Sequence, residues 1–364
     1  MENTEVKKPK KTKYILSILF MLILIVVTII YLVNQYNFND VMSALGEVNI
    51  FWILLAIPLV FIYILFEGLA MKVILHALGF NVSVKDNFVY SAVDYFFCAV
   101  TPSATGGQPM VLYYMAKDRL PVAESSLVLL INTAMFKIIL MSLSVVSVIV
   151  CPQYVFNSVL VTILFFVGFA INLFLVIMCF LGAFKRKWIE AAGKRIIMIL
   201  YRFHIVKDPL KTMRTFREKM NDYEKGAKLI KYHKKHFLLA LTANLIQRVS
   251  LFAIGYLVFI AFSRAYPEID NFNFMHLLAV QVIIALSVDS LPLPGGIGIS
   301  EVLYQSIFGI IYVVGTLDLV GPALLLTRAA AFYIPVIVTM IIWLIRHIRV
   351  TFIHKRRSQY DRIL

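Results

Sequence analysis

Six uninterrupted apolar runs, near residues 14–34, 50–75, 122–150, 158–182, 237–263 and 320–347, are each long enough to cross a membrane, whose hydrocarbon core is about 30 Å thick. Peptide groups in lipid have no water to bond, so runs of this length must be helices that satisfy their own backbone. Hydrophobic residues make up 61% of the 364-residue chain and charged ones 15%. That is more apolar surface than one soluble core can bury, and lipid is the expected solvent.

The placement of charge orients these spans. The basic N-terminus, the loop with Lys117 and Arg119, the stretch from Lys185 to Lys235 and the tail with Lys355, Arg356 and Arg357 fall on one face. The opposite loops carry Asp40, Glu47, Glu268, Asp270 and Asp318 with Arg264 as their cation, so the positive-inside rule places both termini in the cytoplasm. The net charge of +15 is spread between apolar runs rather than gathered in a basic domain, which speaks for topology and anionic lipid headgroups and against a nucleic-acid partner. Lys7 to Lys13 followed by Tyr14 to Val33 has the outline of a secretory signal. The apolar run is too long for one and lacks a small-residue exit, so a retained anchor is expected.

Two further apolar segments, 87–115 and 275–315, are interrupted. The first reads Asp94 through Thr101, Pro102, Ser103, Ala104, Thr105, Gly106, Gly107, Gln108 and Pro109; the second reads Asp289 through Pro292, Leu293, Pro294, Gly295, Gly296, Ile297, Gly298, Ile299, Ser300 and Glu301. Each has an acid, then proline, then a glycine pair. Proline removes a backbone donor and glycine admits non-helical angles, so both segments should unwind there. Unwound backbone at membrane depth survives only beside protein or a water-filled cavity. Each segment is therefore expected to be a re-entrant helical hairpin. The fold class is an all-α polytopic membrane protein of six full spans plus two re-entrant hairpins in an inverted repeat, both termini inside, with its ligand site near the midplane. The boundaries follow: a basic tail (1–13), a first membrane half (14–182), a basic amphipathic cytoplasmic segment (183–236), a second membrane half (237–347) and a tail (348–364).

Charged side chains inside the apolar segments each cost roughly 2.5–3.5 kcal/mol to insert and call for a partner or a task. They are Glu67, Lys137, Arg248 and Arg328, with Asp94, Asp289 and Glu301 at the breaks. Lys137 and Arg328 each follow a glycine pair by about thirty residues. Cations on the helices after two unwound segments could hold a phosphate together with the freed amides, and Arg248, with Asn244 and Gln247 nearby, could add a contact. Equally, the cations could pair internally with Glu67, Asp94, Asp289 or Glu301.

No cofactor or metal is expected. The seven histidines lack HxxxH or HExxH spacing, and Cys98, Cys151 and Cys179 form no CxxC and read as packing residues. A nucleophile elbow, a P-loop and a dinucleotide fingerprint are likewise missing.

Pro292–Glu301 together with Thr101–Pro109 resembles the paired signatures of the lysylphosphatidylglycerol synthase transmembrane family, the flippase-like module of the bacterial multiple peptide resistance factor. The resemblance covers essentially the whole chain. It implies a membrane module that carries aminoacylated phosphatidylglycerol to the outer leaflet, where added positive charge repels cationic antimicrobial peptides. Carried over residue by residue, it implicates Pro102, Gly106, Gly107, Gln108, Pro294, Gly295, Gly296, Gly298 and Glu301. The chain stops at Leu364, which leaves no room for the family's soluble aminoacyl-tRNA-dependent synthase domain, so aminoacyl transfer is not expected of it. The leading expectation is a lipid translocase of the bacterial cytoplasmic membrane. It would act on membrane phospholipid with anionic headgroups, with a second copy or a separate synthase as its protein partner. An integral-membrane lipid headgroup transferase using Asp289 or Glu301 as base, and a scaffold for an envelope enzyme, are the alternatives.

Overall fold

The computed structural model describes residues 38–101, 104–202, 233–269, 272–289, 291, 296, 298–309, 311–314 and 317–360, with scattered positions between 208 and 228. The expected span at 14–34 lies outside the described residues, as do Pro102, Pro294 and Gly295. Described secondary structure is helical except for a two-residue antiparallel pair, Val313–Val314 with Leu317–Asp318. In chain order the helices are α1 (Phe38–Glu47), α2 (Ile50–Leu54), α3 (Ala56–Ala77), α4 (Val84–Val100), α5 (Gly107–Lys117), α6 (Val122–Val150), α7 (Gln153–Phe156), α8 (Val159–Phe184), α9 (Arg186–Arg202), α10 (Lys234–Ala265), α11 (Phe274–Val288), α12 (Ile299–Phe308), α13 (Val320–Arg328) and α14 (Ile334–Tyr360). Among the described residues, five stretches are long and apolar enough to cross a membrane: Ile50–Ala77, Val122–Val150, Val159–Gly182, Lys234–Ala265 and Val320–Val350. The protein is thus a polytopic, all-helical membrane protein.

The long central helices α3 and α10 run antiparallel. His76 meets His236 at one end, with ring nitrogens 3.4 Å apart, and Trp52, Ala261 and Arg264 line one cleft at the other. Helix ends on the His76 side are closed by local chemistry. After α3, Gly79 takes φ +87° while Phe80 N–H bonds Leu75 C=O and Gly79 N–H bonds His76 C=O. After α5, Arg119 takes φ +66° and Leu120 N–H bonds Met115 C=O. Both are left-handed caps that satisfy the last carbonyls of a helix.

The first broken segment folds back on itself. Ser83 caps α4 by accepting from Asp86 N–H. Tyr90 near its start donates to Asp118 just past α5, at 2.5 Å, so α4 and α5 are antiparallel arms. Asp118 also binds Arg346, and Tyr114 lies 3.0 Å from His347, which puts the base of this hairpin beside the end of α14. In the second broken segment, Phe272 before α11 and Tyr312 after α12 both pack on Phe259.

The hairpins and spans pack reciprocally. The helix after the first hairpin, α6, lies against α11 of the second, while α14, after the second, lies against α4 of the first, where Trp343 stacks on Phe96 at 5.3 Å. Glycines allow the closest approaches. A Cβ at Gly68 would stand 2.7 Å from Asn87 C=O on α4, and one at Gly168 would strike the Leu286 carbonyl on α11. Small residues let helices approach in lipid, where no hydrophobic force drives them together.

Two details depart from expectation. In the first segment the helix resumes at Gly107, and its N-cap Gly106 already has helical angles (φ −84°). Ala104 carries the positive φ (51°) instead. The run expected as one continuous helix at 320–347 contains a turn of π-helix at Ala329–Tyr333, directly after Arg328. Such a turn widens the helix where a side chain must be re-aimed.

Because the Gly68 contact is with rigid backbone, Gly68→Ala is expected to cost about 1–3 kcal/mol, read as a lower melting temperature in detergent. Gly46, with nothing within 4 Å of its added Cβ, is the control. There, Gly46→Ala should hold or raise the melting temperature.

Candidate functional site

The membrane-depth charges expected to matter lie in one layer of buried and half-buried side chains, near the middle of their helices or beside a break. Lys137 extends from α6 to Asp289, which follows α11, with Nζ 2.8 Å from Oδ2. The same Nζ donates to Asn172 Oδ1 of α8 at 2.9 Å. Arg248 of α10 approaches the other Asp289 oxygen at 3.6 Å. Its guanidinium lies 3.3 Å above the Phe136 ring, a cation–π contact strengthened by exclusion of water. Asp289 thus ends a helix with two cations on one carboxylate. Its helix terminates there because 289–298 holds the Pro/Gly break.

A second cluster closes the far side of that break. Glu301 Oε1 is 2.7 Å from Arg328, while its Oε2 accepts from Gly298 N–H at 2.6 Å and from Ser300 at 3.0 Å. Arg328 also bonds Ser300. Gly298 (φ +94°) and Gly296 (φ +67°) occupy backbone angles that side-chain residues rarely adopt. Glu301 therefore caps α12 and anchors Arg328.

The third cluster lies at the first hairpin. The antiparallel register of α3 and α10 brings Glu67 to the level of Gln247 and Arg248. Glu67 accepts from Ser91 at 2.8 Å, and Asp94 faces it across the α3–α4 contact. A Cβ at Gly107 would strike Asp94 Oδ1 and Cys98 Sγ. Glycine is needed there for space beside Asp94, not for its backbone angle. Gly106 N–H bonds Thr101 Oγ1 at 2.9 Å, tying off the break.

Lys137, Arg248, Asp289, Glu301 and Arg328 are thus gathered with Glu67 and Asp94 in one layer, and Gly106, Gly107, Gly296 and Gly298 shape its two edges. The expected phosphate ligands Lys137, Arg248 and Arg328 are held by carboxylates: internal pairing is the arrangement in this structure. Gln108 is turned away, donating to Thr133 at 2.5 Å from an exposed position. Pro102, Pro294 and Gly295 lie outside the described residues. Sequence reading missed Asn172, fully buried, and Asn132, which accepts from Asn244 at 3.2 Å. Each is an amide inside an apolar run, and the reasoning applied to charges would have found them. Gln247 is fully buried, and neither polar atom of its amide has a hydrogen bond. Arg248 Nε also has none. A buried donor without an acceptor costs about 1–3 kcal/mol, so the layer carries free hydrogen-bonding capacity beside Asp289.

Compared with known proteins, residues 14–339 match the family described as Lysylphosphatidylglycerol synthase TM region. No curated protein matches the chain.

Removing one member of a buried ion pair strands the other, at about 3–5 kcal/mol. Asp289→Asn and Lys137→Met are each expected to lower the unfolding temperature in detergent, and the double variant should lose much less than the two summed. Additive losses would mean that the two side chains do not depend on each other.

Proposed function

The chain belongs to the Lysylphosphatidylglycerol synthase TM region family, and on that premise we propose that it is a flippase-like lipid carrier. Its cargo is an anionic or aminoacylated phospholipid of the lysylphosphatidylglycerol type, or a polyprenyl-phosphate lipid, moved across the bacterial cytoplasmic membrane, with resistance to cationic peptides as one outcome. The observation that carries this reading is Asp289, a carboxylate at a helix break in the membrane with Lys137 and Arg248 both directed at it.

A lipid phosphate resembles that carboxylate in charge and acceptor geometry. Entering beside the break, it displaces Asp289 and takes the same two cations, with the unpaired Arg248 Nε and Gln247 amide as further donors. Arg328, held to Glu301, keeps the second break in shape. Ion-pair exchange makes binding reversible. Removing the lipid returns the cations to Asp289, so no bare charge is left in hydrocarbon at either end of the cycle.

Re-entry of both hairpins from opposite faces is part of the same proposal. It is supported by Tyr90 meeting Asp118 and by Phe272 and Tyr312 sharing Phe259. The basic amphipathic helix α9 then lies along the cytoplasmic leaflet. Its exposed Ile196, Met198 and Ile199 face the acyl chains, and its Lys and Arg side chains face anionic headgroups.

In vesicles of phosphatidylcholine and phosphatidylglycerol, the protein should speed transbilayer movement of headgroup-labelled phosphatidylglycerol. Lys137→Met and Arg248→Gln should each slow it about tenfold or more, because a hydrogen bond to a charged group is worth about 1.5–3 kcal/mol. Equal rates with and without protein, for every anionic or aminoacylated lipid tried, would rule the carrier out. For topology, in a cysteine-free background on intact cells, a membrane-impermeant thiol reagent should label Glu268→Cys and spare Lys117→Cys. External labelling of Lys117→Cys would rule out re-entry of the first hairpin.

A further inference from the structure

Glu67, which is buried, and Asp94, which is half-buried, are carboxyl groups that the cradle for a phosphate does not use. Glu67 is 5% exposed. It receives one hydroxyl, from Ser91, and Asp94 stands next to it within reach of a shared hydrogen bond. Asp94 Oδ1 is buried and accepts no hydrogen bond. Among the described residues, the titratable or charged groups acting on the two are these. On α3 it is Tyr63; on α4, Tyr95 and Cys98; on α10, Arg248; from the second break, Asp289; and Arg328 lies beyond Tyr95. The cation acting on Glu67 is Arg248, itself 5% exposed and already directed at Asp289. Its Nε carries no hydrogen bond although it lies within electrostatic reach of Glu67. Two adjacent carboxylates in a water-poor site cannot both be ionised without a cation of their own, so a proton must lie between them.

The charge balance of the layer gives that proton a task. Lys137, Arg248 and Arg328 oppose Glu67, Asp94, Asp289 and Glu301, three cations against four carboxyl groups. An arriving phosphate adds one more negative charge and draws Lys137 and Arg248 away from Asp289. Neutrality in hydrocarbon is then restored by protons, and Glu67 with Asp94 is the place in the layer built to accept one.

Resting on the carrier reading, we propose that Glu67 and Asp94 form a proton site that couples lipid movement to the proton gradient, one proton travelling with each anionic headgroup in the same direction. The bookkeeping is simple. The pair shares one proton at rest; a second proton from the loading side bonds to the remaining carboxylate oxygen when the phosphate takes Arg248, and one proton leaves to the far side when Arg248 returns.

Two measurements test this. In phosphatidylcholine and phosphatidylglycerol vesicles, a gradient of one pH unit should shift the steady-state leaflet ratio of headgroup-labelled phosphatidylglycerol about tenfold towards the alkaline side, the equivalent of one proton per lipid. Glu67→Gln and Asp94→Asn should each reduce that shift to none. Infrared spectra of the solubilised protein at neutral pH should contain a protonated-carboxyl C=O band that both variants lose; this readout needs no transport. Movement that is fast but indifferent to the gradient would overturn the coupling and leave the carrier standing. Were no lipid to move at all, the carrier reading would fail, and presence or absence of the infrared band would decide the proton site alone. A gradient response retained in both variants, or a band that survives in both, would place the proton elsewhere.

Discussion

Asp289 holding two cations at the end of a broken helix is the contact on which the rest of the architecture turns. Lys137 and Arg248 come from helices in different halves of the chain, and Asp289 comes from the hairpin between them. In lipid each of these charges alone would be costly. Together they fix how α6, α10 and α11 meet, and Asn172 orders the lysine from a fourth helix. On the proposed carrier reading, the carboxylate holds the place of the lipid phosphate, and one interaction serves both as structural closure and as a stand-in for cargo.

The two breaks solve one problem by different means. In the second, Gly296 and Gly298 adopt angles with positive φ, and Glu301 caps the helix that follows. In the first, the glycine pair is helical, and its value is space: Gly107 leaves room for the Asp94 carboxyl and Cys98. The motifs match as strings, yet the first makes a crowded carboxyl site and the second a cationic one. That asymmetry fits a carrier whose halves handle different parts of the charge balance.

Much of this was legible in sequence. Apolar run length picked out the five described helices long enough to cross a membrane, and the depth rule for charged residues picked out Lys137, Arg248, Asp289, Glu301 and Arg328, which the structure joins in ion pairs. Which carboxylate takes which cation was not legible, because it depends on the α3–α10 register and on α6 crossing to the other hairpin, both set by tertiary packing. The π-helical turn after Arg328 left no trace in an evenly apolar run. Asn172, the one amide in α8, carries no formal charge and so escapes a rule that counts charges at depth.

The most direct test of the account is where a bound lipid phosphate sits. Photoactivatable phosphatidylglycerol, carrying its reactive group on the headgroup, would be cross-linked to the protein in membranes and mapped by peptide mass spectrometry. Adducts on the α6, α10 and second-break residues around Lys137, Arg248 and Asp289, competed by unlabelled phosphatidylglycerol, are the expected result. Adducts confined to the outer surfaces of α8 and α9, with none in the buried layer, would contradict it.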